Sequence, residues 1–335
     1  MHVSPGGPTL QRQASSPLSP APKLSRIVNT PSPATISLQK QIIASFAAAR
    51  RAPLPVEGIE HLTLTDDERS LLSFADRVYE RLSTYIAYRN PTVEERRRLK
   101  MPRLTDMEQA DHDQQLITKM KSERHNMVRI VEFLRNRVQL PTYKGQLLDP
   151  ITIKKLAQGI KDNYQLCHAD LDGSCFYHSG SILLFGGQLG WRAIRAATAF
   201  IMLDNEDYFR TIMNANLMAV SFAEQLRHLF YQAKWANEVT ITATMVALDR
   251  PIFIYESFSR FLHADAEEIT ANLQLRLPGY RTHAIYSSPR IRQDLTPLTI
   301  MRDHERSHFM PLARRSEQSV IFVPTRPIFS DRLQW

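Results

Sequence analysis

The chain has 335 residues, 43% hydrophobic and 23% charged, with 42 Lys and Arg against 34 Asp and Glu for a formal charge of +8. This is ordinary globular composition, sufficient for one or two folded units with a sizeable core. The basic excess is scattered, with no dense Lys/Arg block interleaved with aromatics, so nucleic acid is not an expected partner.

Two cysteines, Cys167 and Cys175, are too few for a disulfide scaffold and lack metal-ligand spacing. A reducing compartment is expected, with no metal and no cofactor. No stretch reaches the roughly 18 apolar residues that span a bilayer, so no membrane span is expected, and the N-terminus lacks the apolar core of a secretory signal.

Residues 1–35 are rich in Ser and Pro, as in Ser15-Ser16-Pro17-Leu18-Ser19-Pro20. Such composition cannot bury enough surface to fold, and a disordered leader is expected. It is similar to the leaders of bacterial effectors exported by specialised secretion machines, and to ordinary tails. The corresponding expectation is a secreted effector acting in host cytosol, otherwise a cytoplasmic protein.

Residues 36–139 read as a helical extension, either a packing extension or a partner-binding region. Gln39 to Arg50 lacks helix breakers. Thr65 and Glu68 form a capping box at a helix start, followed by an apolar stripe of Leu71, Leu72, Phe74, Val78, Leu82 and Ile86. Asn90-Pro91 ends that helix. A further long helix is expected over about 106–138, with Met107, Leu116, Met120, Met127, Ile130, Val131 and Leu134 on its apolar positions. Leu140-Pro141 and Asp149-Pro150 mark a boundary. Residues 140–315 form the next expected domain and 316–335 a tail.

Within that domain the pattern predicts helices at about 151–163, 175–186, 191–203, 222–234 and 238–248. Short strands are expected at 251–255, 282–286, 298–301 and 308–312, the last two pairing through their turn. The fold class is α+β, a small central sheet flanked by helices.

The segment Leu171-Asp172-Gly173-Ser174-Cys175-Phe176-Tyr177-His178 is a tight turn feeding a helix. A cysteine at a helix N-terminus meets the positive end of the dipole, which favours thiolate, and crowded turn amides can donate to an oxyanion. Taken alone, the segment suits a buried structural cysteine after a turn better than a catalytic one.

Other blocks follow in order. Trp191-Arg192 leads to Asn205-Glu206-Asp207-Tyr208-Phe209. Trp235-Ala236-Asn237-Glu238 leads to Pro251-Ile252-Phe253-Ile254-Tyr255. Pro297-Leu298-Thr299-Ile300 leads to Ser307-His308-Phe309-Met310-Pro311-Leu312. From about Leu140 to Arg315 this ordered set resembles the ovarian tumour (OTU) family of cysteine proteases, whose nucleophile core is Asp-Gly-Asn-Cys; here Ser174 stands where Asn is usual.

The resemblance implies a papain-like OTU fold and a thiol-dependent deubiquitinase that cleaves ubiquitin or polyubiquitin chains through a thioester, with a narrow channel for the two terminal glycines. It implies Cys175 as nucleophile, His308 as general base, and Asp172 as the residue whose turn shapes an oxyanion hole built from the amides of Gly173, Ser174 and Cys175. One departure stands out. Many members carry Asp or Asn two residues after the histidine, where a strand places it on the same face; here that residue is Met310, a poor acceptor. Asp149, Asp162 and Asp170 are the candidates for a third member. The alternatives are a catalytically weak or inactive ubiquitin-binding module and a cysteine hydrolase acting on a ubiquitin-like protein. Trp235 and Glu238 are read as structural, Trp235 in the core. Linkage preference and oligomeric state are not legible.

Overall fold

The structure is a computed structural model; it describes residues 64–142, 164–170, 172–216, 218–231, 234–257, 283–288, 290–303 and 308–315. The leader, the expected helices at 39–50 and 151–163, the tail, and Asp149 and Asp162 lie outside the described residues.

Helix α1 (Asp66–Arg89) begins at the expected capping box: Thr65 Oγ1 accepts from the Glu68 amide and the Glu68 carboxylate accepts from the Thr65 amide. Its stripe buries Leu72, Val78, Leu82 and Ile86, while Leu71 and Phe74 sit at the edge. After the short α2 (Val93–Arg98), the single helix expected over 106–138 is two, α3 (Asp106–Ser122) and α4 (Arg124–Arg135). The break is at Glu123, which is buried and accepts from Arg81, Lys119 and Asn126. Satisfying those donors fixes a turn where apolar periodicity alone predicts continuity. Met107, expected on the apolar face, is 81% exposed in the first turn of α3.

The second half contains β1 (Tyr164–Leu166), α5 (Cys175–Phe185), a 3-10 turn at Gln188–Gly190, α6 (Trp191–Asp204) and α7 (Glu206–Ala215). It continues with α8 (Phe222–Leu229), α9 (Glu238–Leu248), β2 (Ile252–Ser257), β3 (His283–Tyr286), β4 (Leu298–Asp303) and β5 (His308–Arg314). Helix α8 stops at Leu229, short of the expected 234. Strand β1 was not anticipated; three residues are too short for periodicity to register.

Among the described residues the strands form one sheet in the order β1-β5-β4-β2-β3. Strands β2 and β4 are parallel and the remaining pairs antiparallel, β4 and β5 pairing as expected. The class is α+β.

Alternation along the strands divides the core. Ile252, Ile254, Leu298, Ile300 and Phe309 face the helices; Phe253, Tyr255, Met301 and Leu312 form a smaller cluster with Leu166 on the opposite face. The helix-facing cluster continues through α5, α6 and α9 into Leu72, Val78, Leu82, Leu116, Met127 and Leu134. Apolar residues on either side of residue 140 thus pack in one cluster.

Buried cations reinforce the join. Arg227 of α8 donates to Asn90 Oδ1 (2.6 Å), Asp113 Oδ1 (2.7 Å) and Glu224 Oε2 (3.2 Å). Arg250 donates to the carbonyls of Arg137 and Val138. None of the described helices is long and apolar enough to cross a membrane.

Candidate active site

Helix α5 is buried along its whole length, which holds its first residue, Cys175, at a fixed point. Two contacts set its depth. Ser181 Oγ donates to the Gly187 carbonyl and accepts from the Gly190 amide. A Cβ on Gly190 would lie 2.3 Å from the Phe185 ring, so a side chain there would displace that ring.

The turn before Cys175 has a distinct geometry. Gly173 has φ 80°, a left-handed conformation that other residues resist. Asp172 Oδ1 accepts from the Ser174 amide at 2.8 Å, and Asp172 Oδ2 lies 3.1 Å from Nε2 of the buried His178. His178 in turn packs on Trp191, ring centroids 4.9 Å apart. The Ser174 carbonyl accepts from the amides of Tyr177 and His178.

Asp172 therefore ties the turn before α5 to His178 within the helix. The Ser174 amide, expected as an oxyanion donor, is already occupied by Asp172. No side chain caps α5. Its first amides, those of Cys175 and Phe176, are the ones a helix leaves without an intrahelical partner, and they supply the positive end of the dipole.

His308 opens β5, 133 residues after Cys175 in sequence. The amide of the next residue, Phe309, donates to Cys175 Sγ at 3.4 Å. That amide nitrogen is bonded to the His308 carbonyl carbon, so the strand start and the helix start meet at the thiol. Burial pushes the Cys175 thiol above its ordinary value; the amides of Phe309 and Phe176 oppose this by favouring thiolate. Asp172 also disfavours thiolate, through its charge.

The remaining predicted residues fall as follows. Asp170 is described and exposed. Met310 is half-buried two residues after His308. The buried Asp303 lies directly opposite His308 in the β4–β5 ladder, a neighbour that residue spacing along one strand does not reveal. His168 lies near as well, its ring centroid 6.4 Å from that of His308. Trp235, expected in the core, is 44% exposed. The carbonyls of Tyr231 and Lys234, before it in the chain, accept from Arg195. Glu238 is in the first turn of α9, as expected.

Sequence reasoning missed Arg195. It stands in the middle of α6, 1% exposed, and its Nη1 donates to Ser174 Oγ at 2.6 Å. The available signal was an arginine on the apolar face of a helix otherwise rich in Ala, Ile and Phe. Among the described residues no group of three or more His, Cys, Asp or Glu side chains is arranged to hold a metal ion.

No family model and no curated protein matches the chain. Among solved structures, it is similar to OTU domain proteases. One is the viral OTU domain protease from Dera Ghazi Khan virus, at 18% identity and TM-score 0.34, covering 47% of this chain and 85% of that one. Another is the Hazara virus OTU bound to ubiquitin, at 16% identity and TM-score 0.34, covering 47% and 85%. A third is the OTU domain of OTUD1, at 16% identity and TM-score 0.33, covering 44% and 85%.

Proposed function

We propose that the chain is a cysteine hydrolase that cleaves the isopeptide bond at a ubiquitin C-terminus, with Cys175 as nucleophile and His308 as general base. The observation that carries the reading is the Phe309 amide on Cys175 Sγ, which puts the residue after His308 against a thiol at an uncapped helix N-terminus. The ubiquitin assignment is supported by the ordered sequence blocks that resemble the OTU family.

In this mechanism the buried thiol gives its proton to the His308 imidazole. The amides of Phe309 and Phe176 stabilise the resulting thiolate. Attack on the scissile carbonyl forms a tetrahedral oxyanion, for which the N-terminal amides of α5, from Cys175 and Phe176, are the available donors. His308 returns the proton to the leaving lysine amine. Water, deprotonated by His308, then hydrolyses the thioester, releasing the ubiquitin carboxylate and regenerating the thiol.

Incubation with a panel of ubiquitin chains and with a ubiquitin probe bearing a C-terminal electrophile tests this. Chain cleavage and labelling of Cys175, both absent in Cys175→Ala, are expected. Intact chains and an unlabelled protein under reducing conditions contradict it.

One observation favours a second reading, that of a weak or inactive ubiquitin-binding module: Met310 occupies the place of a histidine-orienting acid. Binding of chains by wild type without measurable turnover would select it. Turnover of a ubiquitin-like protein but not ubiquitin would select the third reading, a hydrolase of that class.

A further inference from the structure

We propose that Arg195 is a positioning residue for the nucleophile turn, holding Ser174, and through it the first amides of α5, against the segment that follows α8. The proposal deepens the cysteine-hydrolase reading and rests on it.

A buried guanidinium is costly unless its donors find acceptors. Arg195 meets this condition at its two terminal nitrogens, which bridge two parts of the chain, while its buried Nε has no partner among the described residues. Its Nη1 donates to Ser174 Oγ at 2.6 Å. Its Nη2 lies 2.8, 2.6 and 2.9 Å from the carbonyls of His228, Tyr231 and Lys234. These carbonyls lie at and just beyond the C-terminal end of α8, where the helix dipole favours a cation. The guanidinium also lies over the Tyr177 ring, 5.1 Å from its centroid, in the first turn of α5.

Ser174 explains what the bridge does. It is the N-cap residue of α5, yet its side chain caps nothing in the helix and is given to Arg195. Its amide is given to Asp172 and its carbonyl to Tyr177 and His178. Every hydrogen-bonding group of the residue before the nucleophile is thus used to fix it. The direction of the Cys175 and Phe176 amides follows from that fixed residue. A lysine at 195 has one ammonium and no planar fork, so it can reach Ser174 or the carbonyls but not span them. The same clamp fixes the backbone beside Trp235, and Lys234 is further tied to Glu94 of α2.

The test compares the full-length wild type, Ser174→Ala, Arg195→Lys and the double variant by two readouts. One is the rate of Cys175 alkylation by iodoacetamide against pH, followed by mass. The other is kcat and KM on ubiquitin carrying a C-terminal fluorogenic amide. Each single variant should move alkylation to higher pH and lower kcat by about tenfold or more, with KM within about twofold. The double variant should be no worse than the worse single one, because both break the same bridge.

A wild-type alkylation profile and kcat in Ser174→Ala overturn the proposal, as do losses that multiply in the double variant. If Arg195→Lys does not fold, Ser174→Ala alone decides. Alkylation needs no substrate, so a wild type that leaves ubiquitin uncut would overturn the deubiquitinase reading and leave this test in force.

Discussion

The backbone amide of Phe309 donates to the sulfur of Cys175 at 3.4 Å, across a sequence separation of 134 residues. This contact joins the first residues of β5 to the first residue of α5. It needs both elements in place: α5 buried along its length, and β5 held between β1 and β4. Chemistry at the thiol is thereby coupled to the integrity of the sheet.

The two cysteines should differ in reactivity although both are buried. Burial pushes the Cys167 thiol up to about 12 against a single opposing backbone hydrogen bond, from Ala313, whereas several amides, led by Phe309 and Phe176, oppose burial at Cys175. Iodoacetamide at about pH 8 should label Cys175 and spare Cys167 until the protein is unfolded. His308→Ala should slow labelling of Cys175. The linkage sign follows from the raised value. The folded chain keeps a Cys167 proton that the unfolded chain releases, so this contribution to stability is present below about pH 9 and lost towards pH 12. Mass mapping of the labelled peptides checks the order, and prior labelling of Cys167 in the folded protein would contradict it.

The third member of the site should be Asp303 rather than Asp170. Residues directly opposite in an antiparallel ladder have their Cβ atoms about 5 Å apart. Asp303 holds that relation to His308 and is 1% exposed, whereas Asp170 is exposed. A buried carboxylate that close favours the imidazolium formed when the thiol gives up its proton. Asp303→Asn should lower kcat about tenfold or more with KM little changed, and Asp170→Asn should leave both near wild type. The reverse pattern in steady-state kinetics would restore Asp170.

Trp235 should act in substrate binding. It is exposed, and it follows Lys234, whose carbonyl Arg195 holds beside the nucleophile turn. Trp235→Ala should raise KM several-fold at unchanged kcat and leave the melting temperature near wild type. A large drop in thermal stability instead would show that the ring packs.

Residues 140–315 alone should not fold. Removing the helices before residue 140 exposes the helix-facing core around Leu82, Leu116 and Met127 and strips Arg227 of Asn90 and Asp113. In the full chain, Arg227→Ala should cost about 3 kcal/mol, because it removes the buried cation shared by Asn90, Asp113 and Glu224, although Glu224 keeps His228 and the Val93 amide. Denaturant titration measures the second. Circular dichroism of the truncated chain measures the first, and a cooperative native-like melt from residues 140–315 would contradict it.

Much of this fold was legible from the sequence because its elements carry local signals. Thr65 and Glu68 mark the start of α1, and Arg250-Pro251 separates α9 from β2. The β4–β5 pairing follows from two apolar runs and a short connection. What was not legible depends on tertiary partners. Glu123 breaks a helix because Arg81 and Lys119 reach it. Trp235 is exposed, which residue type alone does not signal for a large aromatic. At the site, Cys175 and His308 stood in recognisable local patterns. Arg195 did not, because its role comes from Ser174, 21 residues earlier, and from the chain after α8. Asp303 was overlooked because strand register, not spacing along one strand, makes it a neighbour of His308.

The most direct measurement is cleavage of ubiquitin carrying a C-terminal fluorogenic amide by wild type, Cys175→Ala and His308→Ala, with intact mass of each protein after exposure to the electrophilic ubiquitin probe. Wild type should turn over substrate and take one covalent ubiquitin on Cys175, Cys175→Ala should do neither, and His308→Ala should turn over about a thousandfold or more slowly. Undiminished turnover in Cys175→Ala, or a wild type that neither turns over nor takes up the probe, would contradict it.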